Sequence, residues 1–209
     1  GLPFSPAAIK THLYDSWKTL IREPMVLVGA SMGGAVALDF ALSYPELVRQ
    51  LVLIDSAGLT AGPILGKYLV PPLGYLATSV LQNLKVRQTI SLKAYHQPSY
   101  ASLDALSCAA LHLQQPGWRQ ALVAFTRSGG YGSFQAQLGQ LQLPTLILWG
   151  RSDQILGTAD AERFQQAIAG SQLVWIEDCG HVPHLEKPQE TAQAIRNFLN
   201  AAELTEHRG

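Results

Sequence analysis

Ten consecutive residues, Met25 to Gly34 (MVLVGASMGG), constrain the fold of this chain more than any other stretch. Val26, Leu27 and Val28 are apolar at successive positions and rich in β-branching, the pattern of a strand buried on both faces of a parallel sheet. A helical pattern follows almost at once. Turning from strand to helix within about two residues demands a sharp bend at Ser31, and Gly29 and Gly33 lack the Cβ atoms that would collide across such a bend. The bend lifts the Ser31 hydroxyl off the sheet edge at the positive end of the following helix.

The remaining periodicities extend this into an architecture. Ser5 and Pro6 suit a helix start, and Ile9, Leu13, Trp17, Leu20 and Ile21 repeat at helical spacing, predicting a helix over 5–22. Ala35, Val36, Leu38, Phe40, Ala41 and Leu42 form a helix apolar nearly all round, which implies burial against a sheet. Leu51–Ile54, Thr145–Trp149 and Leu173–Ile176 read as further buried strands, with helices over 158–169 and from Pro188 to about Asn200. Such alternation predicts an α/β fold: a mostly parallel sheet with helices on both faces. Residues 59–143 carry helical patterns (Leu84–Tyr95, Leu103–Leu113, Trp118–Arg127) and no strand, so they read as an inserted helical lid between core segments 1–58 and 144–209.

Composition excludes several function classes. A 47% hydrophobic chain of 209 residues can bury a sizeable core, so disorder is not expected. Fifteen basic and fifteen acidic residues balance, and no Lys/Arg cluster offers nucleic acid an electrostatic footprint. Cys108 and Cys179 form no CxxC pair and match no zinc spacing; they read as free thiols in a reducing, cytoplasmic setting, and no metal or cofactor is expected. No signal-peptide pattern opens the sequence. Lys67 and the Pro71-Pro72 pair interrupt the apolar run Gly62–Leu81, which argues against a membrane span.

Three motifs in order, Gly29-Ala30-Ser31-Met32-Gly33-Gly34, Gly150-Arg151-Ser152-Asp153 and Cys179-Gly180-His181, resemble the α/β-hydrolase family, within it the small esterase and carbon-carbon hydrolase branch. Each lies just past the end of an expected strand, where open α/β sheets place their sites. The resemblance implies a serine nucleophile, an acid and a histidine in that chain order. A serine hydroxyl attacks at neutral pH only if a base takes its proton, and His181 is the candidate base. Asp153 is the candidate acid that fixes the imidazole tautomer, and the backbone N–H of Met32 the candidate oxyanion donor.

Each role has a rival. Asp55 ends the second strand and is an alternative acid; His184 lies three residues beyond His181. Asp178 and Glu186 read as turn and helix-start carboxylates, and Cys179 as a buried thiol rather than a nucleophile. A phosphate loop would need a GKS or GKT ending, which is absent. The lid offers Leu65, Tyr68, Leu69, Leu73, Tyr75, Trp118 and Phe125 toward a small apolar substrate, although such stripes commonly pack on their own neighbours.

The resemblance implies cleavage of an ester or related acyl bond, or a carbon-carbon bond, through an acyl-enzyme. A non-catalytic ligand-binding relative and a cofactor-free perhydrolase or haloperoxidase-like enzyme are the alternatives. The family has about eight strands and the sequence offers four, with no His-Gly loop before the elbow to give a second oxyanion donor. Val26–Val28 would then be an unpaired apolar edge, so further strands are expected from an N-terminal segment or a companion chain. Without that second donor, turnover would fall on the order of 10²- to 10³-fold.

Overall fold

The computed structural model describes residues 4–60, 78–80 and 82–206. Helix α1 (Pro6–Ser16) starts where Ser5 Oγ accepts from Ala8 N at 3.2 Å. It does not continue to residue 22 as a plain α-helix. Trp17–Ile21 form a π-helical turn, closed by Arg22 at φ 63 and by the Trp17 indole N–H donating to Glu23 O at 2.9 Å. Strand β1 (Met25–Ala30) and helix α2 (Met32–Ser43) follow, then β2 (Val48–Ile54). Helices α3 (Leu84–Ala94), α4 (Leu103–Ala110) and α5 (Trp118–Arg127) lie between β2 and β3 (Thr145–Gly150). The chain ends with α6 (Ala159–Ala167), β4 (Gln172–Ile176), a one-turn α7 (Pro183–Glu186) and α8 (Pro188–Glu206). Leu65, Tyr68, Leu69, Leu73 and Tyr75 lie outside the described residues.

The four strands form one parallel sheet in the order β1-β2-β3-β4. Its register sets Ala30 opposite Ile54, Ile54 opposite Leu148, and Gly150 opposite Ile176. The loops leaving all four strands therefore emerge along one sheet edge.

Consecutive apolar residues in β2 and β3 fill both faces. Leu51, Leu53, Ile147 and Trp149 pack with Leu38, Phe40 and Phe164 of α2 and α6. Val52, Ile54, Leu146 and Leu148 pack with Ile176 and with Phe198 of α8. β1 differs: Val28 is 48% exposed, where the sequence pattern predicts burial on both faces. β1 is one of the two edge strands among the described residues and pairs with β2 alone. No helix among the described residues is long and apolar enough to cross a membrane.

Candidate active site

Ser31 links β1 to α2 with φ 51 and ψ −122, a conformation that costs a residue bearing a Cβ on the order of 1–3 kcal/mol. Backbone bonds over-determine it. Ser31 N donates to Ile54 O at 3.0 Å, and Ser31 O accepts from both Gly34 N and Ala57 N, each at 3.0 Å. A Cβ on Gly29 would overlap Gly33 O, whereas one on Gly33 would meet nothing within 4 Å. A Cβ on Gly34 would overlap Ser56, so the close approaches in this bend belong to Gly29 and Gly34, not to the Gly29 and Gly33 pair read from sequence. Met32, the first residue of α2, presents its backbone N–H at the helix start, where no carbonyl four residues back is in place to accept it.

Asp153 sits in the loop after β3 and His181 in the loop after β4. The two loops are tied together by Arg151 N donating to Ile176 O at 3.0 Å and Ser152 N donating to Cys179 O at 2.9 Å. His181 Nδ1 lies 2.9 Å from Asp153 Oδ2 and Nε2 lies 2.8 Å from Ser31 Oγ. Three side chains from sequence positions 31, 153 and 181 thus form one continuous hydrogen-bonded line.

Asp153 and His181 are both buried. Burial alone would push the Asp153 carboxyl up in pKa. The bond and charge of His181, together with the amides of Ile155 (2.7 Å) and Leu156 (3.1 Å) on Oδ1, more than offset it and hold Asp153 below the usual carboxylate range. An ionised carboxylate only accepts, so the imidazole proton resides on Nδ1 and Nε2 is left to accept from the Ser31 hydroxyl.

The rival residues are placed elsewhere. Asp55 is fully buried at φ 40, and its Oδ1 accepts from Gly150 N at 3.0 Å. Among the described residues no hydrogen-bond partner reaches its buried Oδ2 with good geometry. Burial, reinforced by the nearby charge of Asp153, pushes Asp55 up to about 9, so it is protonated at neutral pH. Asp55, Asp153 and His181 offer ligand atoms within 4.8 Å of one another, but His181 Nδ1 and Asp153 Oδ2 are already committed to each other. His184 lines a separate apolar cleft with Val28, Ala30, Ile54 and Ile195. Burial, then the neighbouring His181, lowers its pKa. Cys179 is buried, and burial followed by the charges of Glu186 and Asp55 pushes its thiol up to about 12, far from a reactive thiolate.

Glu186 is the residue that sequence reasoning undervalued. It is 2% exposed and accepts three backbone N–H groups, one of them from Gly180 beside His181. Its other partners lie about ninety positions away in sequence, so no local pattern marks it.

Comparison with known proteins gives an independent view. Residues 4–194 match the model of the alpha/beta hydrolase family. The chain is 32% identical over 199 residues to the alpha/beta hydrolase domain-containing protein VTE7 of Arabidopsis thaliana, covering 95% of this chain and 60% of that one. It is 26% identical over 208 residues to the monoacylglycerol lipase ABHD6 of Homo sapiens, covering 95% and 61%. It therefore spans about three fifths of the length of these curated relatives. A solved meta-cleavage product hydrolase from Pseudomonas fluorescens superposes with a TM-score of 0.77 at 21% identity, over 95% of this chain and 73% of that one, a likeness of fold.

Proposed function

This chain belongs to the alpha/beta hydrolase family, and on that premise we propose that it is a serine hydrolase cleaving an ester or related acyl bond of a small apolar substrate. The observation that carries this reading is the line from Ser31 Oγ through His181 to Asp153, at 2.8 and 2.9 Å. As Ser31 Oγ bonds to the substrate carbonyl carbon, its proton passes to His181 Nε2 and the carbonyl electron pair moves onto oxygen. Asp153 stabilises the imidazolium so formed. The Met32 N–H, at the start of α2, donates to the oxyanion. Collapse expels the leaving group, which takes the proton from His181, and water then cleaves the acyl-enzyme by the same steps. Asp55, protonated at neutral pH, takes no proton in this scheme.

Three further assignments belong to the same proposal. Residues 59–143 act as a cap that selects the apolar part of the substrate. Residues beyond these 209 complete the sheet beside β1 and supply the second oxyanion donor; the half-exposed Val28 and the partial coverage of the relatives support this. The free thiols Cys108 and Cys179 fit a cytoplasmic setting.

The test is turnover of p-nitrophenyl esters of graded chain length by the full-length protein. We expect a burst of nitrophenol matching the enzyme concentration and a loss in Ser31→Ala on the order of 10⁶-fold in kcat. Equal turnover by Ser31→Ala would refute the reading.

A further inference from the structure

The loop that carries His181 is not held by the sheet alone. His181 N donates to Ala94 O, at the C-terminal end of α3, at 2.7 Å. A Cβ on Gly180 would overlap Ala94 O and stand 2.8 Å from His96 N, so the loop and the 94–97 segment touch backbone to backbone. One side chain joins the two. Glu186 Oε2 accepts from Gly180 N at 2.8 Å and from His96 N at 3.0 Å, and Oε1 accepts from Gln97 N at 2.8 Å.

Burying a carboxylate is costly unless it is hydrogen-bonded. Here three backbone amides supply those bonds, while the adjacent Lys187 turns its ammonium to Glu190 at 3.7 Å. Two of the amides belong to the segment after α3 and one immediately precedes the candidate base.

We propose that Glu186 is a positioning residue for His181, a buried carboxylate that clamps the 94–97 segment to the histidine loop and so makes the alignment of the base depend on the inserted helices. This rests on the reading of His181 as the base for Ser31. Glutamine in place of Glu186 keeps the shape but turns an amide group toward N–H donors, so it cannot accept all three bonds. Proline at position 97 removes a single donor on the far side of the clamp and leaves the histidine loop chemically unchanged, with the backbone there moving by about 20° from its φ of −97 to admit the ring.

The experiment compares full-length wild type, Glu186→Gln and Gln97→Pro by ester kinetics normalised to sites labelled with a fluorophosphonate, and by amide hydrogen exchange. We expect kcat to fall on the order of 10²-fold in Glu186→Gln, as for an ångström-scale misplacement of a catalytic group, with KM within about threefold. Gln97→Pro should fall in the same direction by a smaller factor. Exchange at the amides of Gly180 and His96 should accelerate in both variants, and this arm reads out whether or not the protein turns over an ester. Wild-type exchange at Gly180 in both variants, or a loss in Glu186→Gln with Gln97→Pro fully active, overturns the clamp. Failure of the wild type to label at Ser31 would count instead against the proposed function.

Discussion

Asp55 and Asp153 bring carboxyl oxygens within 4.8 Å of each other, yet only Asp153 bonds His181. One environment supplies two amides and an imidazole, the other a single amide and deep burial, and the two groups part into an ionised and a protonated acid. Asparagine mimics the protonated form. Asp55→Asn should therefore keep kcat within about tenfold, whereas Asp153→Asn should lose on the order of 10³- to 10⁴-fold because the imidazole no longer holds the required tautomer. Steady-state ester kinetics on both variants check this.

The same pair sets the pH dependence of stability. Folded Asp55 keeps its proton to about 9, while an unfolded carboxyl releases it near 3.8, so between those values the folded state holds the extra proton. Its contribution is most favourable below pH 4 and declines as pH rises toward 9. Asp153 has the opposite sign: its depressed pKa contributes stability above the usual carboxylate range that is lost on acidification. Melting temperatures across pH 5 to 9 should fall less steeply in Asp55→Asn than in the wild type. Parallel curves would contradict this assignment.

Phe40 of α2 is fully buried, packed between the sheet and the ring of Tyr44, with centroids 5.1 Å apart. Phe40→Ala should cost about 3–5 kcal/mol in urea unfolding, with an unchanged m-value.

The Gly29 side of the elbow has no room for a methyl group. Gly29→Ala should destabilise by about 1–3 kcal/mol and slow reaction at Ser31, whereas Gly33→Ala should unfold like the wild type, since open space surrounds that position. Chemical denaturation of the two variants side by side decides it.

These contrasts mark what the sequence could convey. β2 and β3 are legible because helices cover both faces, which imposes uninterrupted apolar runs such as Leu51–Ile54 and Leu146–Trp149. The same apolar run in β1 records only what the strand is suited to pack against; it is the count of four strands that marks Val26–Val28 as an apolar edge, and Val28 is half-exposed there. Ser31, Asp153 and His181 stand out because each follows a strand end, and the register brings those ends to one edge. Which of Asp55 and Asp153 bonds the histidine depends on backbone amides contributed by loops, and which glycines the elbow requires depends on how closely Gly33 O and Ser56 approach Gly29 and Gly34. Glu186 is silent in sequence because its partners are main-chain groups of a distant helix end, carrying no side-chain signature.

The central claim is that Ser31 is a nucleophile activated by His181. Full-length protein incubated with a fluorophosphonate and mapped by mass spectrometry should carry the phosphonyl group on Ser31, with no labelling in Ser31→Ala and a rate reduced by at least about 10³-fold in His181→Ala. Intact, folded protein that stays unlabelled, or labels equally fast without His181, would contradict the account.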